Sequence, residues 1–462
     1  MKFHYPKDVI PGEFSITPDA PAGSHDVKSP PLHALYPERD EYLTVPPDIY
    51  YSHERMRTEW EKLWTRTWTC AGRISDIPRV GDWFKYDLGR ESFIVVRTEP
   101  GKVEAFYNVC THRGNRVVHG DFGNTDRFTC SFHGWQWRPN GQVLAITDVS
   151  TFRPEALRDR LNLKPVRCEL WAGFIFINMD LQARPLSEFL SDLPELMDAY
   201  HMEEMHVVKD VVIELDANWK VVLEAFLESY HLQETHPQAK PFVDDVEYQI
   251  DFYRNGHGRL QTAIGYPSPR CDDRSTLPPG LAFMLMEAGV DPAAYASRAM
   301  DVRAALLAAK RNPANPYGLD YSAFTDSQVT DDWNYSVFPN MTFNTHPEGV
   351  LVMRFLPHPT DPEKSYYHTW VISRKLKAGV RPPAYMGVEP EVDISGDTRP
   401  ARRYNNKFKA ELGEVLEQDV SNVEAVQRGL RSRVFERNRY SEQEQRIIQF
   451  HAEVERYFKA GG

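Results

Sequence analysis

Residues 110–137 read CTHRGNRVVHGDFGNTDRFTCSFHGWQW, and the character of the first half of the chain turns on this stretch. Cys110 and His112 stand as C-x-H, Cys130 and His133 as C-x-x-H, with seventeen residues between the halves. Each half fits one loop that places a sulfur and a nitrogen on the same side of a tight turn. Thiolates suit zinc or iron–sulfur clusters and imidazole suits zinc or iron. The donor set therefore fits either zinc or a [2Fe–2S] centre. Zinc fingers usually take their cysteines as one pair and their histidines as another. Here each half supplies one of each, which suits a cluster with both cysteines on one iron and both histidines on the other. Gly114 and Gly134 follow closely and let the backbone turn in, so that its N–H groups can approach the cluster sulfurs.

Outward from this motif, WFKYDLG, SFIVVRT, VEAFYNV, GQVLAIT and GFIFINM read as short strands separated by Gly, Pro and Asn. Pro139-Asn140-Gly141 is a hairpin signal. Residues 68–180 are expected to form one small antiparallel β domain. Residues 1–48 read as an extended arm, and SHERMRTEWEKLWTRTW (52–68) as a helix capped by Ser52. The segment 1–67 is expected to pack on a second domain, 181–462. In that second part, 186–204 reads as helix, HVVKDVVIELD as strand, and 280–311 as helix with Met284, Met286 and Met300 as core filler. WNYSVFPNMTFNT, EGVLVMRFLPH and SYYHTWVISRK read as three antiparallel strands. Helices over 403–432 and 441–458 close the chain, the last with Ile447, Phe450, His451, Val454 and Phe458 on one face.

Length and composition agree with two globular domains: 462 residues, 41% hydrophobic and 26% charged, with 34 prolines favouring loops and sheets. A net charge of −12 argues against nucleic acid as a partner and gives no reason to expect an anionic membrane. Five cysteines leave Cys70, Cys168 and Cys271 as free thiols outside the motif, with no disulfide framework implied. The N-terminus lacks a basic region followed by an apolar core, and no run approaches the ~20 apolar residues of a membrane span, so a cytoplasmic location is expected. Asn334-Tyr-Ser and Asn340-Met-Thr match the glycosylation pattern, which carries no meaning there.

An electron relay needs a consumer, and Glu228-x-x-His231-x4-His236 is the candidate. On a helix opening at Asn218, the side chains of Trp219, Val222, Leu223, Phe226 and Tyr230 form an apolar stripe, while Glu224, Glu228 and His231 share another face. Pro237 disfavours α geometry at His236, so the helix is expected to loosen there and let the second imidazole swing toward the first. Taken alone, such a face is more often solvated surface. The helix ELGEVLEQDVSNVEAVQRGL carries Leu416, Asp419, Val423, Val426 and Leu430 at spacings of 3, 4, 3 and 4, an apolar stripe with one carboxylate in it. A core-facing carboxylate must be paired, protonated or bound to metal. An Arg or helix-end amides would satisfy it, and so would two histidines and an iron in a 2-His-1-carboxylate triad. Glu417 and Glu424 are competing carboxylates on other faces.

Together CTHRGN…CSFHGWQW, NWK…H-x4-H and EQD…VQRGL resemble the catalytic α subunit of Rieske non-haem iron oxygenases, the aromatic-ring-hydroxylating dioxygenase family. The resemblance covers nearly the whole chain. It implies an α+β protein: a small antiparallel β Rieske domain followed by a helix-grip catalytic domain with an antiparallel sheet flanked by helices. It implies that Cys110, His112, Cys130 and His133 hold a [2Fe–2S] cluster and that His231, His236 and Asp419 hold a mononuclear Fe(II). Many family members carry an aspartate three residues before the first iron histidine; Glu228 stands there and takes the catalytic bridge role, linking His231 to His133 of the adjacent subunit. The implied assembly is a homotrimer or α3β3 ring. Its partners are O2, an aromatic or apolar small molecule, and a separate NAD(P)H-dependent reductase, with or without a ferredoxin. No Gly-rich dinucleotide fingerprint is present in this chain, in keeping with that division of labour. The expected reaction is hydroxylation, foremost cis-dihydroxylation of an arene. The alternative is monooxygenation or oxidative N- or O-demethylation, because glutamate at the bridge also occurs in relatives that oxidise quaternary amines. Phe226, Phe242, Phe338 and Phe343 are candidate pocket aromatics, each more often plain core.

Overall fold

A computed structural model describes residues 15–17, 42–159, 161–389, 392–396, 399–405 and 412–459, except the side chains at 15–17 and 247. Most of the expected arm over 1–48 lies outside the described residues. The chain forms two compact units, 57–189 with 357–361, and 1–56 with 190–356 and 362–462. The fold is α+β, as expected.

Among the described residues the smaller unit holds a seven-stranded and a three-stranded antiparallel sheet. In the larger sheet Asp82–Leu88 alternates buried and less buried positions, as a strand with one face inward should. Glu91–Glu99, lying between Asp82–Leu88 and Lys102–Tyr107, is buried at five consecutive positions. The Pro139-Asn140-Gly141 turn joins Gln136–Trp137 to Val143–Ala145, with Gly141 at φ 80°. The expected domain limits of 68 and 180 fall inside this unit. The helix before residue 68 belongs partly here, because Trp60 packs beside Gly89 and under Arg90. That helix starts as expected, Ser52 Oγ accepting from Arg55 N–H at 3.2 Å, but its last turn, Trp60–Trp64, widens to π geometry.

The larger unit is built on a nine-stranded sheet among the described residues. Its central run is an antiparallel meander from Val243–Phe252 through Ser365–Ser373, with His206–Leu215 added beside the last strand. The three strands expected over 333–375 are four. A turn through Phe338-Pro339 divides the first into Asp332–Val337 and Met341–His346, paired with each other. Tyr248, Ile250, Phe252 and Leu260 on the sheet close over Ile448 of the C-terminal helix Gln445–Lys459, and burial of this apolar surface is what holds the grip shut.

Two helical expectations fail for local reasons. The segment 280–311 breaks at Gly289 and Pro292 into Pro279–Glu287, short 3-10 turns and Val302–Arg311, and Met286 and Met300 are exposed rather than core. Arg403–Asn405 is an edge strand, and the helix expected from 403 begins at Glu414, after Gly413 at φ 98°. Its buried positions are Asp419, Val420, Val423, Glu424, Gln427 and Leu430, while Val426 faces solvent. No described helix is long and apolar enough to cross a membrane.

Candidate metal centres

The two halves of the Cys/His motif fold into loops with the same hydrogen-bond pattern. Gly114 N–H donates to Cys110 C=O at 3.0 Å, and Gly134 N–H to Cys130 C=O at 3.0 Å. Cys110 N–H donates to Asn115 C=O at 2.7 Å, and Cys130 N–H to Trp135 C=O at 2.9 Å. Both glycines have positive φ, 79° and 72°, which a side chain would resist. The cysteines are buried, and the His112 and His133 ring centroids lie 4.7 Å apart. Trp135 stacks on His112 at 4.8 Å and fixes its plane. His112 Nδ1 is buried with no hydrogen-bond partner among the described residues, a costly state that a metal bond would relieve. Burial pushes the Cys110 thiol up and His112 down. Against the same burial, the Phe132 N–H and the Asn115 amide, 3.6 Å from Cys130 Sγ, bring the Cys130 thiol below its usual range. Two thiols and two imidazoles presented by paired loops fit a two-iron cluster.

The second candidate assembles where the helix opening at Asn218 stops. Asn218 caps it through Lys220 N–H, but helix runs only over Trp219–Glu224; a short turn of helix, Leu232–Thr235, follows after a break. The expected common face of Glu224, Glu228 and His231 therefore does not exist, since the helical spacing is lost after Glu224. Glu224 instead accepts hydrogen bonds from Tyr50 Oη at 2.8 Å and Tyr440 Oη at 3.1 Å, beside His451 Nε2 at 3.0 Å, and serves as a buried clasp. His236 takes φ −121° and ψ 57°, outside the helix, as Pro237 requires. Its ring thereby turns back toward His231.

The result is a convergent triad. His236 Nε2 lies 2.8 Å from Asp419 Oδ1, His231 Nε2 lies 3.3 Å from the same oxygen, and the two Nε2 atoms are 3.3 Å apart. These are the only three His, Cys, Asp or Glu side chains among the described residues whose ligand atoms cluster at metal-binding range, within 4.8 Å of one another. Asp419 is 5% exposed and meets imidazoles rather than an Arg. Burial opposes its charge, yet His231 and His236 hold its carboxyl below the usual range. Burial likewise opposes protonation of His231, but Glu228 and Asp419 outweigh it and push the imidazole up to about 10. Two nitrogens and one carboxylate oxygen closing on one point are a donor set for a single iron with open positions.

Each imidazole is held from behind. Glu228 Oε1 lies 2.6 Å from His231 Nδ1, while Glu228 Oε2 accepts from His231 N–H at 3.1 Å. Gln418 Oε1 lies 2.8 Å from His236 Nδ1 and also accepts from Gln238 Nε2 at 2.6 Å. Sequence reasoning missed both glutamines, since a neutral amide leaves no charge or periodicity signal. Of the proposed pocket aromatics, Phe226 and Phe242 line the cavity beside the triad, whereas Phe338 stacks on Tyr457 and Phe343 is core.

That cavity has a volume of about 750 Å³, and His231, His236 and Asp419 are in its wall. One side is apolar, with Phe226, Phe242, Met284 and Leu260. Another is polar because Asn334 pairs in register with Asn344 across two strands. Asn334 Nδ2 donates to Asn344 Oδ1 at 3.0 Å, Asn344 Nδ2 donates to Asp332 Oδ2 at 2.8 Å, and buried Arg446 supports Asn334 Oδ1 at 2.7 Å. Glu287 and Lys310 add charge to the lining, Lys310 being 2.9 Å from the fully buried Glu348.

Comparison with known proteins agrees with both halves. A model for the Rieske [2Fe-2S] domain matches residues 67–158, and one for the ring hydroxylating alpha subunit (catalytic domain) matches 202–460. The chain is 29% identical over 201 residues to the glycine betaine monooxygenase oxygenase subunit of Pseudomonas aeruginosa, covering 43% of this chain and 46% of that protein. It is 29% identical over 235 residues to the carnitine monooxygenase oxygenase subunit of Escherichia coli, covering 50% and 60%. It is 34% identical over 196 residues to the large oxygenase component of a Burkholderia 2,4-dinitrotoluene dioxygenase system, covering 41% and 43%. The matches thus span about half the length of these relatives. Similar solved folds include a quaternary ammonium Rieske monooxygenase in complex with L-carnitine, with a TM-score of 0.61 at 20% identity over 90% of this chain and 95% of the other. Naphthalene 1,2-dioxygenase from Rhodococcus sp. has a TM-score of 0.62 at 18% identity over 93% and 99%.

Proposed function

The chain belongs to the ring hydroxylating alpha subunit family, whose members carry a Rieske [2Fe–2S] cluster and a mononuclear iron, and from that premise we propose that it is the terminal oxygenase of a monooxygenase system acting on a nitrogen-bearing, cationic small molecule. Cys110, His112, Cys130 and His133 hold the cluster, and His231, His236 and Asp419 hold the iron. When bound, the cluster supplies electrons one at a time and the iron supplies open positions for O2. The protein's part is geometric. Glu228 and Gln418 occupy the Nδ1 sides of the two rings, leaving both Nε2 atoms for the metal, and the cavity keeps substrate beside it.

Electrons come from NAD(P)H through a separate reductase, with or without a ferredoxin. Glu228 is the bridge by which His231 of one subunit receives them from the cluster of a neighbour in a ring of three.

The observation that carries the substrate class is the mixed wall of the cavity. Asn334 and Asn344 are satisfied within their own network, but Asp332 Oδ1 is buried with no hydrogen-bond partner among the described residues. A plain arene would cover it without satisfying it, and a buried polar group left unpaired costs about 1–3 kcal/mol. A substrate with a charged nitrogen and polar substituents suits that wall, with its alkyl carbons toward Phe226 and Phe242. The glutamate at 228, and relatives whose names specify glycine betaine and carnitine, favour the same class. The reaction inserts one atom of O2 into a C–H bond beside nitrogen, reduces the other to water with an electron pair from NAD(P)H, and lets the hydroxylated carbon leave as an aldehyde. Dihydroxylation of an arene is the second reading, favoured by the apolar side of the cavity and the dinitrotoluene dioxygenase relative.

Purified protein with a surrogate reductase and labelled O2 tests the choice. An N-methylated ammonium substrate should stimulate O2 uptake and yield formaldehyde, whose oxygen exchanges with water and is therefore read by amount, in proportion to NAD(P)H consumed. A dihydrodiol bearing both labelled atoms, with no turnover of any ammonium compound, would overturn it.

A further inference from the structure

His231 and His236 lean on chemically different supports, and the difference has a consequence for the metal. His231 is backed by a carboxylate, Glu228, whereas His236 is backed by a neutral amide, Gln418. We propose that Gln418 is the positioning residue for His236, and that its neutrality, as much as its reach, sets the balance between ferrous and ferric iron. This rests on the assignment of His231, His236 and Asp419 to one iron.

His236 needs such a support more than His231 does. It sits at the end of a single short turn of helix, with backbone angles that belong to no regular element, so the main chain does not fix its ring. Gln418 precedes the ligand Asp419 on the helix Glu414–Leu430, so one rigid element delivers both a ligand and the group that aims another. The Gln418 amide is itself anchored: Gln238 Nε2 donates to its Oε1 at 2.6 Å, and Gln418 Nε2 faces Gln238 Oε1 at 3.4 Å. This reciprocal pair keeps the oxygen toward His236. Once Nε2 is given to a metal, Nδ1–H is the only donor left on the ring, and Gln418 Oε1 is the acceptor waiting for it 2.8 Å away.

The charge count explains why an amide stands there. A ferrous ion with Asp419 as ligand and Glu228 behind His231 sums to zero. A second carboxylate behind His236 would make the histidine more basic and the sum negative, which favours the ferric state. Gln418 orients without adding charge.

Two variants of the intact chain separate orientation from charge. Fe(II) affinity is read by anaerobic equilibrium dialysis, and the potential of the mononuclear iron by redox titration. Gln418→Leu removes the acceptor and should weaken Fe(II) binding about 10–100-fold, with the visible spectrum of the cluster and the thermal midpoint unchanged. Gln418→Glu keeps the shape and should retain iron while lowering its potential, so that more iron is ferric as isolated. Wild-type affinity in Gln418→Leu, or an unchanged potential in Gln418→Glu, would overturn the proposal. Retention of the mononuclear iron by Asp419→Ala would instead overturn the ligand assignment on which it rests.

Discussion

The two candidate metal centres are built by opposite routes. The Cys/His centre is local: two loops of one hydrogen-bond pattern, close in sequence, each closed by a glycine at positive φ. The triad is non-local: His236 and Asp419 meet across 183 positions, and only because one helix breaks after Glu224 and another starts late, at Glu414. The first centre is carried by turns and could be read as a motif. The second is carried by packing, and its ligands become a set only when the sheet and helices have formed. The difference suits the division of work, since a relay needs donors at hand and an oxygen-activating centre needs a walled cavity.

The comparison can be broken most sharply at the ligands. Asp419→Ala should lose the mononuclear iron and reduce turnover to background while the visible spectrum of the cluster persists. Cys130→Ser should do the reverse, losing acid-labile sulfide and the spectrum while iron still binds at the triad. If either substitution emptied both sites with the fold intact by circular dichroism, the centres would not be separate. Glu228→Gln keeps the shape but removes the charge behind His231. Both metals should stay, while transfer from cluster to iron in a single-turnover experiment slows on the order of 10–100-fold. Unchanged kinetics would remove Glu228 from the bridge.

Smaller changes sharpen the boundary between site and scaffold. Glu224→Ala should leave iron content unchanged yet destabilise the larger unit by about 1–3 kcal/mol in urea titration, because Tyr50, Tyr440 and His451 lose a shared buried acceptor. Loss of iron instead would return Glu224 to the site. Asn115→Ala removes a donor to Cys130 Sγ, and the cluster should become harder to reduce. If that bond is worth ~1 kcal/mol, the potential falls by about 40 mV.

What was legible follows the same local–distant divide. The loops, the turn at 139–141, the N-cap at Ser52 and the loosening at His236 all rest on interactions within a few residues, and a sequence displays those. The carboxylate at 419 was visible as an anomaly in an apolar stripe, although the stripe itself is rotated, with Gln427 and Glu424 inside and Val426 outside. The expected common face for Glu224, Glu228 and His231 failed because helical spacing says nothing about where a helix stops. The long helix over 280–311 failed at Gly289 and Pro292, and the fourth strand hid behind Pro339, where an apolar run continues through a turn. Gln418 and Gln238 could not be found at all, since an amide matters only once its neighbours are known.

The central claim is that each chain holds two distinct iron sites, and the most direct measurement is the iron and acid-labile sulfide content of the purified wild type beside Asp419→Ala. About three irons and about two sulfides per wild-type chain are expected, falling to about two irons with the sulfide unchanged in the variant. Zinc without sulfide, or equal iron in the two proteins, would contradict the account.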